Sequence, residues 1–111
     1  STTILQARLA DDSADTQFQA SGYISGYVAK TGTYTVTAAD STINCTSGTF
    51  TVTLLTAVGN AGRVYDIKNS GAGTITVDTT SAQTIDGAAS QSITANASLR
   101  VQSTGANWII I

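Results

Sequence analysis

In residues 49–54, Thr-Phe-Thr-Val-Thr-Leu, every second position is apolar and the positions between are threonines. Successive side chains of a strand point to opposite faces, so Phe50, Val52 and Leu54 share one face and the threonines the other. The same phrase, Gly-Thr-x-Thr-Val, begins at Gly32, Gly48 and Gly73. Similar alternation predicts strands over residues 34–37, 42–45, 63–69, 74–78, 83–85, 92–95 and 99–103, with a last one over 108–111. Residues 22–29 read as a strand kinked at Gly26, since glycine inside a strand marks a bulge.

Turn signals separate these segments: Asp40-Ser41, Ser47-Gly48, Gly59-Asn60-Ala61-Gly62, Asp86-Gly87 and Thr104-Gly105-Ala106-Asn107. Short strands broken by turns about every 8–12 residues predict an all-β domain, not βαβ units. The expected architecture is a small antiparallel β-sandwich, jelly-roll-like, over residues 22–111. Residues 1–21 are expected to form an N-terminal arm or linker. The glycine-rich link Ser70-Gly71-Ala72-Gly73 predicts a hairpin between the strands on either side of it.

The three repeated phrases lie sixteen and then twenty-five residues apart. A solenoid requires a fixed period so that each coil stacks on the last. The unequal intervals therefore predict recurrent strand chemistry without a β-helix, and a flat threonine grid of the kind that meets ice is not expected. Trp108, Ile109, Ile110 and Ile111 are apolar on both faces of their strand, so both faces should be covered. Such a strand left bare would aggregate, which predicts these four residues at a subunit interface.

The composition supports a folded chain: 41% of residues are hydrophobic and only 11% charged. Threonine supplies roughly one residue in six, and β-branched residues suit a half-buried pleated surface. A net charge of −2 without any basic cluster argues against nucleic acid or an anionic membrane as partner. No apolar run is long enough to span a bilayer. The chain starts without methionine and is expected to be a piece of something longer.

Cys45 is the single cysteine, so no intrachain disulfide can form. A small domain without such staples gains stability by oligomerising. Histidine is absent and all seven acidic residues are aspartates, which leaves little for acid–base catalysis. No catalytic residue, metal site or cofactor is expected. Asp11, Asp12 and Asp15 lack the spacing of a calcium loop and read as solvated linker. Gly59 to Gly62 lacks the lysine and helix of a phosphate loop. Asp66 and Lys68 share a strand face as a surface pair. Phe50, Tyr34 and Tyr65 fall on inward positions. Tyr23 and Tyr27, beside Gly22 and Gly26, are the aromatics least committed to a core, and so the candidate sugar-stacking residues.

Taken in order, the phrases Thr-Val-Thr-Leu, Gly-Asn-Ala-Gly-Arg-Val-Tyr-Asp-Ile-Lys-Asn, Gly-Thr-Ile-Thr-Val-Asp, Gln-Thr-Ile-Asp-Gly and Ser-Thr-Gly-Ala-Asn-Trp-Ile-Ile form a pattern over residues 34–111. This pattern resembles the distal domains of bacteriophage tail fibres and tailspikes. The resemblance implies an intertwined homotrimer wrapped about a threefold axis and a role in host-surface recognition, with bacterial surface polysaccharide as partner. It also implies a place on the virion after assembly in the host cytoplasm, where an unpaired cysteine is normal. The polysaccharide-cleaving tailspikes are much longer, so the resemblance implies the non-enzymatic end of the family. The alternatives are a capsid-decorating or other virion-surface protein, and a monomeric carbohydrate-binding module or adhesin.

Overall fold

The computed structural model describes residues 26–111. The predicted arm at residues 1–21, Tyr23 and the aspartates at 11, 12 and 15 lie outside them. Among the described residues there are nine strands and no helix. They are β1 (Tyr27–Lys30), β2 (Tyr34–Thr35), β3 (Thr42–Cys45), β4 (Phe50–Thr53), β5 (Val64–Asn69), β6 (Ile75–Asp78), β7 (Ser90–Ile93), β8 (Ser98–Ser103) and β9 (Trp108–Ile110).

The strands form two mixed sheets. Sheet A has the order β9-β8-β5-β3-β1, and sheet B the order β2-β4-β6-β7. Up to β6 the chain alternates between them, one strand in A and the next in B. Pairing among these six strands is parallel: β1 with β3, β3 with β5, β2 with β4 and β4 with β6. The direction then reverses. β7 is antiparallel to β6, β8 is antiparallel to β5, and β9 folds back on β8. The fold is all-β and sandwich-like, but the expected antiparallel sandwich is corrected by this parallel half.

Three forward turns of a coil are thus closed by reversed strands. The unequal spacing of the repeated phrases does not prevent stacking, because the surplus residues leave the coil as a loop. Tyr27 sits beside Thr42, and Thr42 beside Asp66, although the second interval is nine residues longer. Residues 54–63 absorb six of the nine, since Tyr34 precedes Thr42 by eight residues and its partner Val52 precedes Asp66 by fourteen; the corner between β3 and β4 absorbs the other three. The loop 54–63 is fixed at Ala57, whose N–H donates to Gln83 Oε1 and whose carbonyl accepts from Ser103 Oγ, both at 2.8 Å. In sheet B, Phe50 stands beside Ile75, whereas Tyr34 stands beside Val52, so the first phrase is slipped by two residues. A slip of two keeps every side chain on its face, whereas a slip of one would invert them all.

The link at residues 70–73 joins strands in different sheets, so the predicted hairpin there is a corner of the coil. Its glycines are needed for stacking. A Cβ on Gly71 would come 2.9 Å from Ser47 Cα, and one on Gly73 would overlap Thr49 Oγ1 and the Gly48 carbonyl. Asn69 is buried at this corner. Its Nδ2 donates to the carbonyls of Gly73 (2.7 Å) and Ile93 (2.9 Å), and its Oδ1 accepts from Gly71 N–H. A buried amide with all these bonds made stabilises the corner, where an unpaired one would cost free energy.

The inward faces of both sheets meet in one core that includes Ile43, Cys45, Val52, Tyr65, Ile67, Ile75, Val77, Val101 and Trp108. Tyr34 and Phe50, expected to be core, are partly buried against its edge. Cys45 is fully enclosed, and burial pushes its thiol pKa up, which leaves it unreactive. Residues 22–25 of the strand predicted to kink at Gly26 lie outside the described residues. Gly26 precedes β1, and a Cβ there would collide with the Ala39 carbonyl.

Candidate functional site

The register of sheet A places Tyr27, Thr42, Asp66 and Arg100 side by side on four neighbouring strands. The next outward row is Ala29, Asn44, Lys68 and Ser98. Strands lie about 4.8 Å apart, so the first row crosses roughly 14 Å of surface. At one end of the row the Tyr27 ring is 63% exposed. Its hydroxyl accepts from Asn44 Nδ2 at 3.0 Å, and Asn44 Oδ1 in turn accepts from Ser70 Oγ at 2.5 Å. The ring is therefore held in place with its apolar face open to solvent.

Alongside the row runs a cleft of about 920 Å³, lined by Gly26, Asp40, Thr42, Arg63, Asp66 and Arg100 among others. Arg100 Nε donates to Asp66 Oδ1 at 2.8 Å, with a longer second bond from Nη2 to Oδ2 at 3.4 Å. The Asp66 carboxylate raises the pKa of the Arg100 guanidinium. With side-chain exposures of 58% and 39%, the pair is screened by water and contributes little to stability. The two bonds also orient the Arg100 guanidinium among the residues that line the cleft. Arg63 is oriented by neutral groups, its Nε donating to Asn60 Oδ1 (2.9 Å) and Nη1 to the Ala38 carbonyl (3.0 Å).

Asp66 and Lys68 share a face as predicted but do not pair. Asp66 is taken by Arg100, and Lys68 Nζ donates to the Asn96 carbonyl at 2.6 Å. The other described aspartates are also engaged. Asp40 Oδ2 accepts from Tyr34 O–H (2.6 Å) and Thr37 N–H (2.8 Å), Asp78 from Thr79 N–H, and Asp86 from Ile110 N–H. Among the described residues, no three histidine, cysteine, aspartate or glutamate side chains gather as metal ligands would. No helix there is long and apolar enough to cross a membrane.

The C-terminal quartet divides. Trp108 is 1% exposed in the single chain and tilts against Tyr65 with ring centroids 5.7 Å apart, so it is a core residue and not the interface residue expected. Ile109, Ile110 and Ile111 are 39%, 38% and 55% exposed. Ile109 pairs with Gln102, and Ile111 N–H donates to the Arg100 carbonyl. The side chains of Ile109 and Ile111 therefore continue the outer face of sheet A beyond Arg100, whereas Ile110, opposite buried Val101, falls on the other face. Arg63, Arg100 and Asn44 have no counterpart among the predicted site residues, because their roles depend on cross-strand register. Comparison with protein-family models, curated proteins and solved structures gave no match.

Proposed function

We propose that the chain is a non-catalytic recognition domain of a bacteriophage tail fibre, working as a homotrimer at the virion surface and holding a bacterial surface polysaccharide on the outer face of sheet A. The observation that carries this reading is the pinned, exposed Tyr27 ring in a row flanked by a cleft of fixed polar side chains. An aromatic platform supplies stacking area, and oriented amide, carboxylate and guanidinium groups supply direction, which together suit a saccharide. Ile109 and Ile111 support the trimer, since two exposed isoleucines beside a polar face are better buried against another copy. The ordered strand phrases that resemble tail-fibre tips support the setting. The engagement of Asp40, Asp66, Asp78 and Asp86 as acceptors within the fold supports a role without catalysis.

A bacterial glycan array and light scattering test the two halves. The wild-type protein is expected to bind one or more surface polysaccharides as a trimer, and Tyr27→Ala to lose most of that signal at unchanged melting temperature. Ile109→Asp with Ile111→Asp is expected to give a smaller, folded species. A wild-type monomer that binds glycan would make it a free carbohydrate-binding module or adhesin. A trimer that binds none would make it a capsid-decorating or other structural virion protein.

A further inference from the structure

We infer that the outer edge of β2 is a docking edge for residues 16–20 of the same chain, which lie outside the described residues and add a parallel strand to sheet B. The first ground is that this edge is open. Val36 N–H donates to the Thr53 carbonyl at 2.9 Å, so Val36 directs its backbone groups toward β4. Backbone groups alternate sides along a strand, so those of Thr35 point away from the sheet. They have no partner among the described residues. The outermost strand of sheet A at the other end, β9, has its outer groups taken up by residues 84–86. An open strand edge is a template for a further strand, and its backbone groups call for partners.

The second ground is the sequence of the segment, Thr-Gln-Phe-Gln-Ala, which alternates polar and apolar positions as β2 and β4 do. An aromatic residue followed two places later by an apolar one occurs at Phe18 and Ala20, at Tyr34 and Val36, and at Phe50 and Val52. The aromatics are sixteen residues apart in both steps. Tyr34 and Phe50 open β2 and β4, so one step back from β2 falls on Phe18. Spacing to the next strand of sheet A agrees as well: Phe18 precedes Tyr27 by nine residues, and Tyr34 precedes Thr42 by eight. Tyr34 is only partly buried at the edge of the core, and Phe18 continues its inward row. Part of the expected N-terminal arm is then a strand, and the chain enters the domain across its open rim.

The test places Gln17→Cys or Gln19→Cys with Thr35→Cys, the two registers that keep polar residues outward. Neighbouring strands hold facing Cα atoms about 4.8 Å apart, within disulfide reach. Cys45 is enclosed and does not compete. One of the two pairs is expected to close within a single chain on mild oxidation, read by peptide mass mapping. The same cysteines with Thr76→Cys, two strands further into sheet B, are expected to stay open. In the wild-type chain Thr35 N–H should exchange at least about tenfold more slowly than in the unfolded chain. Phe18→Asp should remove that protection while β4 stays protected, and Gln19→Asp should keep it. Failure of both pairs to close, or exchange at Thr35 as fast as in the unfolded chain, would overturn the inference. Closure only between two chains would also overturn it and give the edge to a second copy.

Discussion

Asp86 Oδ1 accepts a hydrogen bond from the backbone N–H of Ile110 at 2.9 Å, across 24 residues of chain. Asp86 N–H also donates to the Trp108 carbonyl, and Trp108 N–H donates to the Thr84 carbonyl. β9 is the outermost strand of sheet A, and its outer backbone groups are thereby taken up by the segment 84–86. An apolar strand with a bare edge would recruit other chains by sheet extension. With this edge capped, what β9 leaves exposed is its isoleucine side chains.

Asp86 holds φ at +50° and precedes Gly87 at +82°, a turn conformation that asparagine and aspartate tolerate better than alanine. Asp86→Ala is expected to cost about 1–3 kcal/mol through the lost bond and the strained φ. It should also raise the aggregation rate. Asp86→Asn keeps both the acceptor and the conformational preference, and should stay within about 1 kcal/mol of wild type. Urea denaturation and turbidity on standing check both; equal stability of the two variants would refute the cap.

Coil stacking is tested at two glycines of the repeated phrase. At Gly73 an added methyl meets Thr49 and the Gly48 backbone of the turn below, while at Gly32 it meets nothing within 4 Å. Gly73→Ala should destabilise by about 1–3 kcal/mol, as over-packing does. Gly32→Ala should change stability by no more than about 0.5 kcal/mol. At this size 1 kcal/mol moves the midpoint by roughly 4–8 °C, so thermal melts resolve the contrast.

Asn69 joins the corner to both sheets, through Gly73 and Ile93. Asn69→Ala leaves those carbonyls and Gly71 N–H without their partner and is expected to cost about 2–4 kcal/mol. Hydrogen exchange should quicken first at residues 70–73 and in β7. Exchange that quickened only in β1 would contradict the assignment.

Alkaline pH should unfold the protein through two tyrosines. The Tyr34 pKa is raised above 10.0, chiefly by its bond to Asp40, and that of Tyr65 is raised chiefly by burial. For a group whose folded pKa exceeds its unfolded value, the stabilisation is complete below the unfolded pKa and is lost as pH rises through the folded one. Stability should therefore be insensitive to these residues below about pH 10 and fall above it. Phenolate absorbance and circular dichroism followed together check this; ionisation of Tyr65 in the intact fold would refute it.

Strand chemistry was legible in the sequence because threonine alternation reports which face is buried, and Val52, Ile67, Ile75 and Val77 all lie inside. Strand direction was not legible. Alternation is the same for parallel and antiparallel neighbours, and a glycine-rich link such as residues 70–73 serves as a hairpin or as a corner. Tyr27 stood out, with Tyr23, as an aromatic beside a glycine and not committed to a core. The Asp66–Arg100 pair did not, since its members are 34 residues apart and meet only through the β5–β8 register. Trp108 misled because its hydrophobic neighbours suggested a strand covered on both sides, whereas its ring turns inward and theirs stay partly outside.

The reversal after β6 gives the molecule a polarity. On its closed side, sheet B ends in β7, which runs backwards, and sheet A ends in β9, whose rim is occupied by Asp86. A fourth forward winding would need a matched pair of open rims there and finds none. Lengthening by duplication can therefore succeed only within the parallel half, where a whole turn can be spliced between existing turns, so the fold has a growing direction and a stop built into one end.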